Sequence, residues 1–419
     1  MGESTQLTPN ILNRKRDRVS TGMLVDIPLL LAIFVLVVFG LLMLYSASWN
    51  YSLQAYDNGM HIFLHQLTMI LIGIAGAVFL FLMDYHHLKF FAPWAMGAVV
   101  LALIFMLIDP LNLSAATGYT RSLTSGGSVQ PSEFAKIILV VFMAQYLANR
   151  QDKLNDPIQG IVAPMSILLL VILLVLLQPD FSASATIAVL GILIYIVAGG
   201  NMKFVGWLFF AAVVMLLGGY FLFDKVSVRF ADYFAGLTHP EDASYHIRRA
   251  YNAILNGGIF GVGIGKSSSK ITGLPVAWTD SIFAVILEET GLVGGFFVIS
   301  LYTFILWRGY EISKKAPDAF GKLLAAGISI WIFMEAAINI CVMLNILPFA
   351  GNALPLISSG GSSAVCTLAG FGMLLNISRV SAIKNFEKGK SEPDAIIDMR
   401  RGNWGWRVSR PGSSSVKNE

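Results

Sequence analysis

The sequence predicts an all-α membrane protein with about ten transmembrane helices. Of its 419 residues, 56% are hydrophobic and 13% are charged, about half the charged fraction of a soluble domain. The apolar residues fall in runs that can cross a bilayer, and a single span must satisfy its own backbone, which excludes strands. The ten runs cover residues 24–46, 62–83, 89–108, 132–148, 158–177, 183–199, 203–222, 281–307, 319–346 and 361–378.

The distribution of Lys and Arg orients these spans. Ten spans place both termini on one side, and that side carries 21 of the 29 cations, whereas the other carries Arg121 and six in the segment 223–280. The positive-inside rule therefore predicts cytoplasmic termini. The first run is too long for a signal peptide and follows about 22 polar and basic residues.

The predicted spans and their orientation divide the chain into three parts. We expect a cytoplasmic tail at 1–22, a transmembrane domain at 23–380 with a long outer loop at 223–280 before helix 8, and a second cytoplasmic tail at 381–419. A partner-binding role for the second tail remains open beside a role at anionic lipid. Neither cysteine nor histidine shows the spacing of zinc ligands.

The outer loop concentrates cations on a side that otherwise lacks them. It contains Arg248, Arg249 and Lys270, and the Gly-rich stretch NGGIFGVGIGKSSSK at 256–270. One interpretation is a flexible turn over the membrane surface. The other is an anion cradle in which backbone N–H groups and Lys270 meet a phosphate group. The stretch lacks the strand and spacing of a nucleotide-binding loop.

Two further motifs place polar groups at the outer ends of spans. In QPSEFAK, Glu133 and Lys136 share a helical face, and a charged pair there indicates either a functional site or an ion pair that fixes helix packing. In QPD at 178–180, Asp180 is typical of a helix N-cap in a tight hairpin.

The stretch NALPLISSGGSSAVC at 352–366 contains Ser358 and Gly360 ahead of the last span. Its Pro, Gly and Ser residues predict an unwound or re-entrant segment, which a membrane protein tolerates only where it lines a cavity. All these polar features lie on the outer side. The sequence therefore predicts one site that opens to the outer face.

Three carboxylates stand near the start of the eighth run, in LPVAWTDSIFAVILEETG at 274–291. Asp280 precedes the run, so it can cap the helix or act as a general base. Glu288 and Glu289 follow about 12–14 Å further along the helix, too far to share a proton with Asp280. We expect these two to hold the span through buried hydrogen bonds, with a cavity-lining role as the alternative.

Four motifs together resemble the SEDS proteins (shape, elongation, division and sporulation), typified by FtsW, RodA and SpoVE. They are QPSEFAK at 130–136, QPD at 178–180, FGVGIGKSSSKITGLPVAWTDSIFAVILEETG at 260–291 and LPLISSGGSS at 354–363. They occur in the family's order, and the resemblance covers roughly residues 24–380. The LPLIS stretch leans toward the FtsW and SpoVE branch.

The resemblance implies an enzyme: a peptidoglycan glycosyltransferase that polymerises lipid II at the outer face of the bacterial cytoplasmic membrane. It implies a class B penicillin-binding protein and other divisome or elongasome proteins as partners, and no nucleic acid. Asp280 matches the family's essential aspartate, Glu133 and Lys136 match the pair in its central cavity, and Lys270 matches the lysine of its Gly-rich loop. The further candidates for substrate contacts are Arg121, Asp180, Arg248, Arg249, Ser358 and Gly360.

The sequence also departs from the family's usual pattern. Ser122 stands where a tryptophan is usual, Ser359 where a tyrosine is usual, and His246 and Arg249 lie near positions where glutamines are common. QPDFSAS replaces the more usual QPD-Leu-Gly-Thr. These differences concern fine substrate contacts and partner surfaces, and they leave Asp280 in place.

The implied reaction sets the groups that the site needs. A sugar 4-hydroxyl attacks the anomeric carbon of a second lipid II, so one carboxylate must accept the hydroxyl proton. The pyrophosphate that leaves needs positive charge from Lys and Arg, or from a divalent cation such as Mg²⁺ or Mn²⁺; no organic cofactor is expected. A lipid II flippase and a non-catalytic divisome scaffold remain the alternatives.

Overall fold

The computed structural model describes residues 25–108, 130–208, 245–348 and 351–391, with isolated residues between 210 and 237. Within these ranges the regular secondary structure is helical, and there is no strand. The helices are α1 Ile27–Tyr56, α2 His61–Leu82, α3 His87–Ile108, α4 Pro131–Ala148, α5 Ala163–Leu176, α6 Phe181–Val197, α7 Tyr245–Gly257, α8 Ile282–Lys315, α9 Ala319–Met343 and α10 Gly361–Ser391.

Eight of the ten predicted spans coincide with helices that are long and apolar enough to cross a membrane. A π-helical turn, Pro157–Val162, completes the α5 span. The run 183–199 corresponds to α6, which has 17 residues, and the run 203–222 lies largely outside the described residues. The prediction of an all-α polytopic membrane protein is confirmed. The last helix, α10, continues past the expected domain boundary at residue 380.

Four helices form the centre of the bundle. The most apolar windows of α4, α8, α9 and α10 are 67%, 67%, 78% and 67% buried, whereas those of α2 and α3 are 22% and 28% buried. The central helices α8 and α9 pack on each other, and α4 packs on α9. The peripheral helix α2 packs against α10, and α3 against α4. The central four therefore supply the interior surfaces in which a polar site can be shielded from lipid.

Polar side chains tie the helices together at one end of the bundle. Asp318, the N-cap of α9, accepts hydrogen bonds from Gly321 N at 3.4 Å, from Lys89 Nζ at 3.0 Å and from the Tyr85 hydroxyl. Burial alone would raise the pKa of Asp318, but the bonds from Tyr85 and Lys89 lower it below its ordinary value. On α10, Asn376 Nδ2 donates to the carbonyls at the end of α2. This end is therefore held by charge-assisted bonds to Asp318 and by neutral amide bonds from α10.

A glycine interrupts α8 two residues after the second of its two glutamates. Gly291 has φ 68° and ψ −169°, so the helical hydrogen bonds that would cross this point are absent. A kink inside a membrane protein leaves polar backbone groups that must find other partners. Those groups are the carbonyls of Glu288 and Glu289 and the N–H groups of Leu292 and Val293.

The Gly-rich loop supplies all four partners. Val262 N and Gly263 N donate to the carbonyls of Glu288 and Glu289, at 2.9 and 3.0 Å. In return, Leu292 N and Val293 N donate to the carbonyls of Gly258 and Ile259, at 3.0 and 3.3 Å. A Cβ on Gly261, which has φ +78°, would lie 2.3 Å from the Glu289 carbonyl oxygen. The loop is therefore built into α8, and its interpretation as a flexible surface turn is wrong.

Candidate functional site

A polar cavity of about 250 Å³ lies where α4, α6, α8 and α9 meet the segment before α10. It brings together five of the ten predicted site residues: Glu133, Lys136, Asp180, Asp280 and Gly360. The other lining residues are Gln130, Ala183, Thr279, Glu335, Gly351, Asn352, Ala353, Ser359, Gly361, Ser362 and Ser363. Segments separated by more than 200 residues thus converge on one space.

The start of α4 points two charged side chains into this cavity. Gln130 is extended and Pro131 occupies the first helical position, where its missing N–H costs nothing. Glu133 therefore lies in the first turn and Lys136 one turn later on the same face. Lys136 Nζ donates to Glu133 Oε1 at 2.7 Å. The pair that the sequence predicts is formed.

A third residue, Glu335 of α9, completes this group, which we call the cavity triad (Glu133, Lys136 and Glu335). Lys136 Nζ also donates to Glu335 Oε1, across the interface between α4 and α9. The sequence reasoning missed Glu335. The available signal was a lone carboxylate in the otherwise apolar stretch WIFMEAAINI at 331–340, which is costly in a membrane unless it has a partner.

Asp180 caps α6 and also faces the cavity. Its Oδ1 accepts from Ala183 N at 3.2 Å, which confirms the predicted N-cap. Its Oδ2 accepts from Gln130 Nε2 at 3.0 Å and so links α6 to the start of α4. Both oxygens are thus engaged in holding two helix ends together.

Asp280 lies in the cavity wall just before α8. The N-cap of α8 is Ser281, so of the two alternatives for Asp280 the helix cap is wrong. No hydrogen bond to the Asp280 carboxylate is found among the described residues, and burial raises its pKa to about 6. Asn339 Nδ2 of α9 donates to the Asp280 carbonyl at 2.9 Å and fixes its backbone. The carboxylate is therefore held in place by its backbone and left available for a ligand.

His246 of α7 approaches the same turn from behind. Its Nε2 lies 2.5 Å from Ser281 Oγ, and burial lowers the pKa of the imidazole. The ring is therefore neutral at pH 7 and adds no charge beside Asp280.

The segment before α10 forms another wall and is non-helical, as its Pro, Gly and Ser residues predict. Ser358 Oγ donates to the Thr279 carbonyl at 2.6 Å and accepts from Leu354 N at 2.8 Å. Gly360 N donates to Gln66 Oε1 at 3.1 Å. Ser358 is thus a tie behind the cavity wall, whereas Gly360 lines the cavity itself.

Lys270 does not line the cavity. Its Nζ is 2.9 Å from Glu289 Oε1 and also donates to Ser46 Oγ and the Gly265 carbonyl. The side chains of this ion pair are 4% and 0% exposed. The sequence predicts Lys270 beside a phosphate group, and the structure differs. The Lys270 ammonium is already paired with the Glu289 carboxylate.

Glu288 fills the loop that the sequence offers as an anion cradle. Its carboxylate accepts from Ser268 N at 3.2 Å, from Ser269 N at 3.3 Å and from the Ser267 hydroxyl. We call Lys270, Glu288 and Glu289 the loop cluster. The backbone N–H groups of SSSK do bind an anion, but the anion is a side chain of α8. Glu288 and Glu289 therefore hold the span through buried hydrogen bonds, as predicted, and their partners are the loop and Ser46 of α1.

The remaining cations lie elsewhere. Arg248 and Arg249 are on α7, which packs on α8 and buries Ile247, Ala250 and Ala253, and neither arginine lines the cavity. Arg249 Nε donates to the Tyr245 hydroxyl at 3.2 Å. Arg121 lies outside the described residues.

The charges of the cavity determine which ligands suit it. Its lining contains four carboxylates, of Glu133, Asp180, Asp280 and Glu335, against the single ammonium of Lys136. An acidic, polar cavity suits the hydroxyl and amide donors of a sugar rather than a bare phosphate. In the part of the chain that the structure describes, no three His, Cys, Asp or Glu residues are grouped to hold a metal ion.

Comparison with known proteins finds one family and several relatives that match most of this chain. The FtsW/RodA/SpoVE family, described as "Cell cycle protein", matches residues 27–383. Stage V sporulation protein E of Bacillus subtilis (strain 168) is 30% identical over 358 residues, which are 85% of this chain and 97% of that protein. The probable peptidoglycan glycosyltransferase FtsW of Geobacter sp. (strain M18) is 33% identical over 357 residues, covering 84% and 96%. Both likenesses extend over nearly the whole of the relative.

Two solved structures share the fold. One was reported under the words "Structural coordination of polymerization and crosslinking by a peptidoglycan synthase complex", with a TM-score of 0.69 and 23% identity over 85% of this chain and 98% of that one. The other is the rod shape determining protein RodA of Thermus thermophilus, with a TM-score of 0.62, the same identity and the same coverage. At this identity they support the helical architecture alone.

Proposed function

Since this integral membrane protein belongs to the FtsW/RodA/SpoVE family, we propose that it is a peptidoglycan glycosyltransferase. It polymerises lipid II at the outer face of the cytoplasmic membrane, for septal or other cell-wall synthesis. The observation that carries the proposal is Asp280. Its buried carboxylate, with a pKa raised to about 6, stands in the wall of a cavity that suits sugar groups.

Asp280 acts as the general base. The 4-hydroxyl oxygen of one sugar attacks the anomeric carbon of another, and its proton passes to the Asp280 carboxylate. The bond from that carbon to the pyrophosphate oxygen breaks, its electron pair leaves with undecaprenyl pyrophosphate, and the configuration inverts. A base with a pKa of about 6 is mostly ionised at neutral pH and accepts a proton better than an ordinary aspartate.

The acidic cavity holds sugars, and the pyrophosphate lies outside it. A pyrophosphate among four carboxylates would be repelled, whereas α7, whose His246 contacts Ser281 next to Asp280, carries Arg248 and Arg249. We assign these two arginines to the pyrophosphate and keep Arg121 as a further candidate. Lys270 contributes through the loop cluster, because its charge is matched by Glu289.

A divalent cation fits the site only if the substrate supplies most of its ligands. The described residues offer no group of three ligands, and Asp280 is the one lining carboxylate without a hydrogen bond from them. Mg²⁺ commonly binds through one or two carboxylates together with substrate phosphates. If the reaction uses such a cation, Asp280 and the pyrophosphate oxygens would hold it, and it would neutralise the charge of the leaving group.

The expected partner is a class B penicillin-binding protein, which crosslinks the glycan strands, with further divisome or elongasome proteins. Support comes from a structural neighbour that is described as a peptidoglycan synthase complex. The excess of cations on the side of the termini supports cytoplasmic tails and an outward-facing cavity.

Reconstitution tests the function. The full chain, purified with its penicillin-binding partner, is given lipid II and Mg²⁺, and glycan strands are measured on gels. We expect strands from the wild type and none from Asp280→Asn, which keeps the size of the side chain and removes the base. Asp57→Asn is the matched control, because Asp57 is exposed at the end of α1 and does not line the cavity.

Three results would contradict the proposal. Strand synthesis by Asp280→Asn at the wild-type rate would remove Asp280 from the role of base. Absence of strands together with transfer of labelled lipid II across vesicles would favour the flippase. If neither strands nor transfer occur while the partner still binds, the scaffold alternative is favoured.

A further inference from the structure

The cavity triad contains one more carboxylate than its lysine needs. Lys136 is bound by Glu133 of its own helix and by Glu335 of α9. The side chains of Lys136, Glu133 and Glu335 are 6%, 14% and 3% exposed, so Glu335 is the deeper of the two carboxylates. A lysine with Glu133 alone would form a neutral pair. With Glu335 the formal charge of the triad is −1.

The excess charge coincides with an unused acceptor. Glu133 Oε1 accepts from Lys136, but its Oε2 is buried and has no hydrogen-bond partner among the described residues. A buried carboxylate oxygen without a donor is costly, so such groups in folded proteins usually have a protein or ligand partner. Since Glu133 lines the cavity, a ligand there can supply the donor.

Helix α9 links the position of the unused acceptor, Glu133 Oε2, to the position of Asp280. Asn339, which holds the Asp280 carbonyl, follows Glu335 by four residues, so the two share a face and stand about 6 Å apart along the axis. One rigid helix thus fixes the backbone of the base and the lysine of the triad. A sugar that reaches Asp280 meets the triad in the same cavity.

We propose that Glu335 is a positioning residue that binds the ammonium of Lys136 and so leaves Glu133 Oε2 free to accept a hydrogen bond from a hydroxyl or amide N–H of the bound sugar. This inference rests on the proposed function. Without Glu335 the charge of Lys136 would be matched by Glu133 alone, and both Glu133 oxygens would turn to the lysine.

The test is Glu335→Gln in the full chain with its partner, assayed for polymerisation over a range of lipid II concentrations. Gln keeps the size of the side chain and an oxygen for Lys136, but removes the charge. We expect KM to rise by about tenfold, the worth of one hydrogen bond to a charged group, with kcat within about twofold. Glu335→Asp keeps the charge and should give a smaller rise.

A merely structural role for Glu335 gives a different result. Partial unfolding lowers the active fraction and so reduces kcat at an unchanged KM. An unchanged KM in Glu335→Gln, with or without a loss of kcat, would overturn the inference. Glu311→Gln is the matched control, because Glu311 is near the far end of α8 and lies outside the cavity.

A second measurement separates this inference from the proposed function. If the wild type makes no glycan strands, the proposed function fails, but thermal unfolding still reports on Glu335. Lys136→Met should lower Tm strongly in the wild type and less in a Glu335→Gln background, because only one carboxylate is then left uncompensated. Equal losses in the two backgrounds would show that Glu335 does not hold Lys136, and would overturn the inference independently of activity.

Discussion

The cavity triad and the loop cluster contain the same charges, two glutamates and one lysine, yet they differ in how far those charges are satisfied. In the loop cluster all four carboxylate oxygens have donors, from Lys270, from serine hydroxyls and from backbone N–H groups. In the cavity triad Glu133 Oε2 has none among the described residues. A fully satisfied network rigidifies a fold, whereas a buried acceptor beside a cavity is suited to a ligand.

The surroundings of the two groups explain the difference. The loop cluster is enclosed by the SSSK backbone and by Ser46 of α1, so its hydrogen-bond partners are part of the protein. The cavity triad borders a space of about 250 Å³ that no described side chain fills. The same three residue types thus stabilise the fold in one place and are available to a substrate in the other.

The largest expected effects are losses of stability when the lysine of either group is removed. Lys270→Met leaves Glu289 buried without its cation and should cost about 3–5 kcal/mol, the usual cost of removing one partner of a buried pair. Lys136→Met leaves both Glu133 and Glu335 without a cation and should cost at least as much. Thermal unfolding of both variants in the same detergent measures this, and an unchanged Tm in either variant would show that its lysine does not stabilise the buried carboxylates.

The Asp280 carboxylate should lower the stability of the fold, although the reaction needs it. Its folded pKa is raised by burial to about 6 from 3.8, so the fold favours the protonated form, and this stabilisation is lost as pH rises through about 6. Asp280→Asn should therefore be inactive but more stable above pH 6, by at most about 3 kcal/mol.

The same pKa sets the pH dependence of the reaction. Since the ionised carboxylate is the base, kcat/KM should fall about tenfold for each pH unit below about 6. Rates of strand synthesis and Tm values between pH 5 and 8 measure both effects. A stability of Asp280→Asn that equals the wild type at pH 8 would show that the carboxylate is not desolvated.

Exchange of charges within the cavity triad should reduce polymerisation by about 100-fold. In Glu133→Lys with Lys136→Glu, the new carboxylate at 136 faces Glu335, so the double exchange cannot restore the original pairing. A further Glu335→Lys restores two oppositely charged contacts and should recover Tm. Activity should stay low, because the free carboxylate oxygen is lost. Full recovery of activity in the triple variant would make the cavity triad a structural group like the loop cluster.

The smallest expected effect is the loss of one donor from the loop cluster. Ser268→Ala removes the hydroxyl that donates to Glu288 Oε1 at 3.1 Å, while the backbone donor from the same residue remains. We expect a loss of about 1 kcal/mol and unchanged polymerisation. Ser300→Ala is a suitable control, since the Ser300 hydroxyl is exposed and bonds only its own helix. A large loss of activity would link the loop cluster directly to the site.

The sequence predicts the fold well because apolar runs of membrane length have few alternatives. The bounds of α2, α3 and α9 differ from the predicted runs by three residues or fewer. The convergence of Glu133, Asp180, Asp280 and Gly360 also follows from the sequence, since each interrupts an apolar run near the same membrane face. Side-chain pairing does not follow, because it depends on contacts between helices.

Lys270 and Glu335 show why. Lys270 has the sequence context of an anion-binding residue, but the kink at Gly291 brings the loop onto α8 and places Glu289 within its reach. Glu335 has no motif around it, and its role appears only when α9 lies against α4. The sequence suggests which groups are polar in an apolar setting, whereas tertiary structure decides which of them neutralise each other.

The joining of the Gly-rich loop to α8 also determines where the chain can change in length. Loop residues 258 and 259 bond residues 292 and 293 of α8, whereas loop residues 262 and 263 bond residues 288 and 289. Both sets of bonds can form together only if the number of residues between 259 and 262 is kept. One residue added there would leave two of the four bonds out of register. A residue added between 264 and 266 would leave all four in place. Length variation among related sequences should therefore be absent from the first stretch and concentrated in segments outside it.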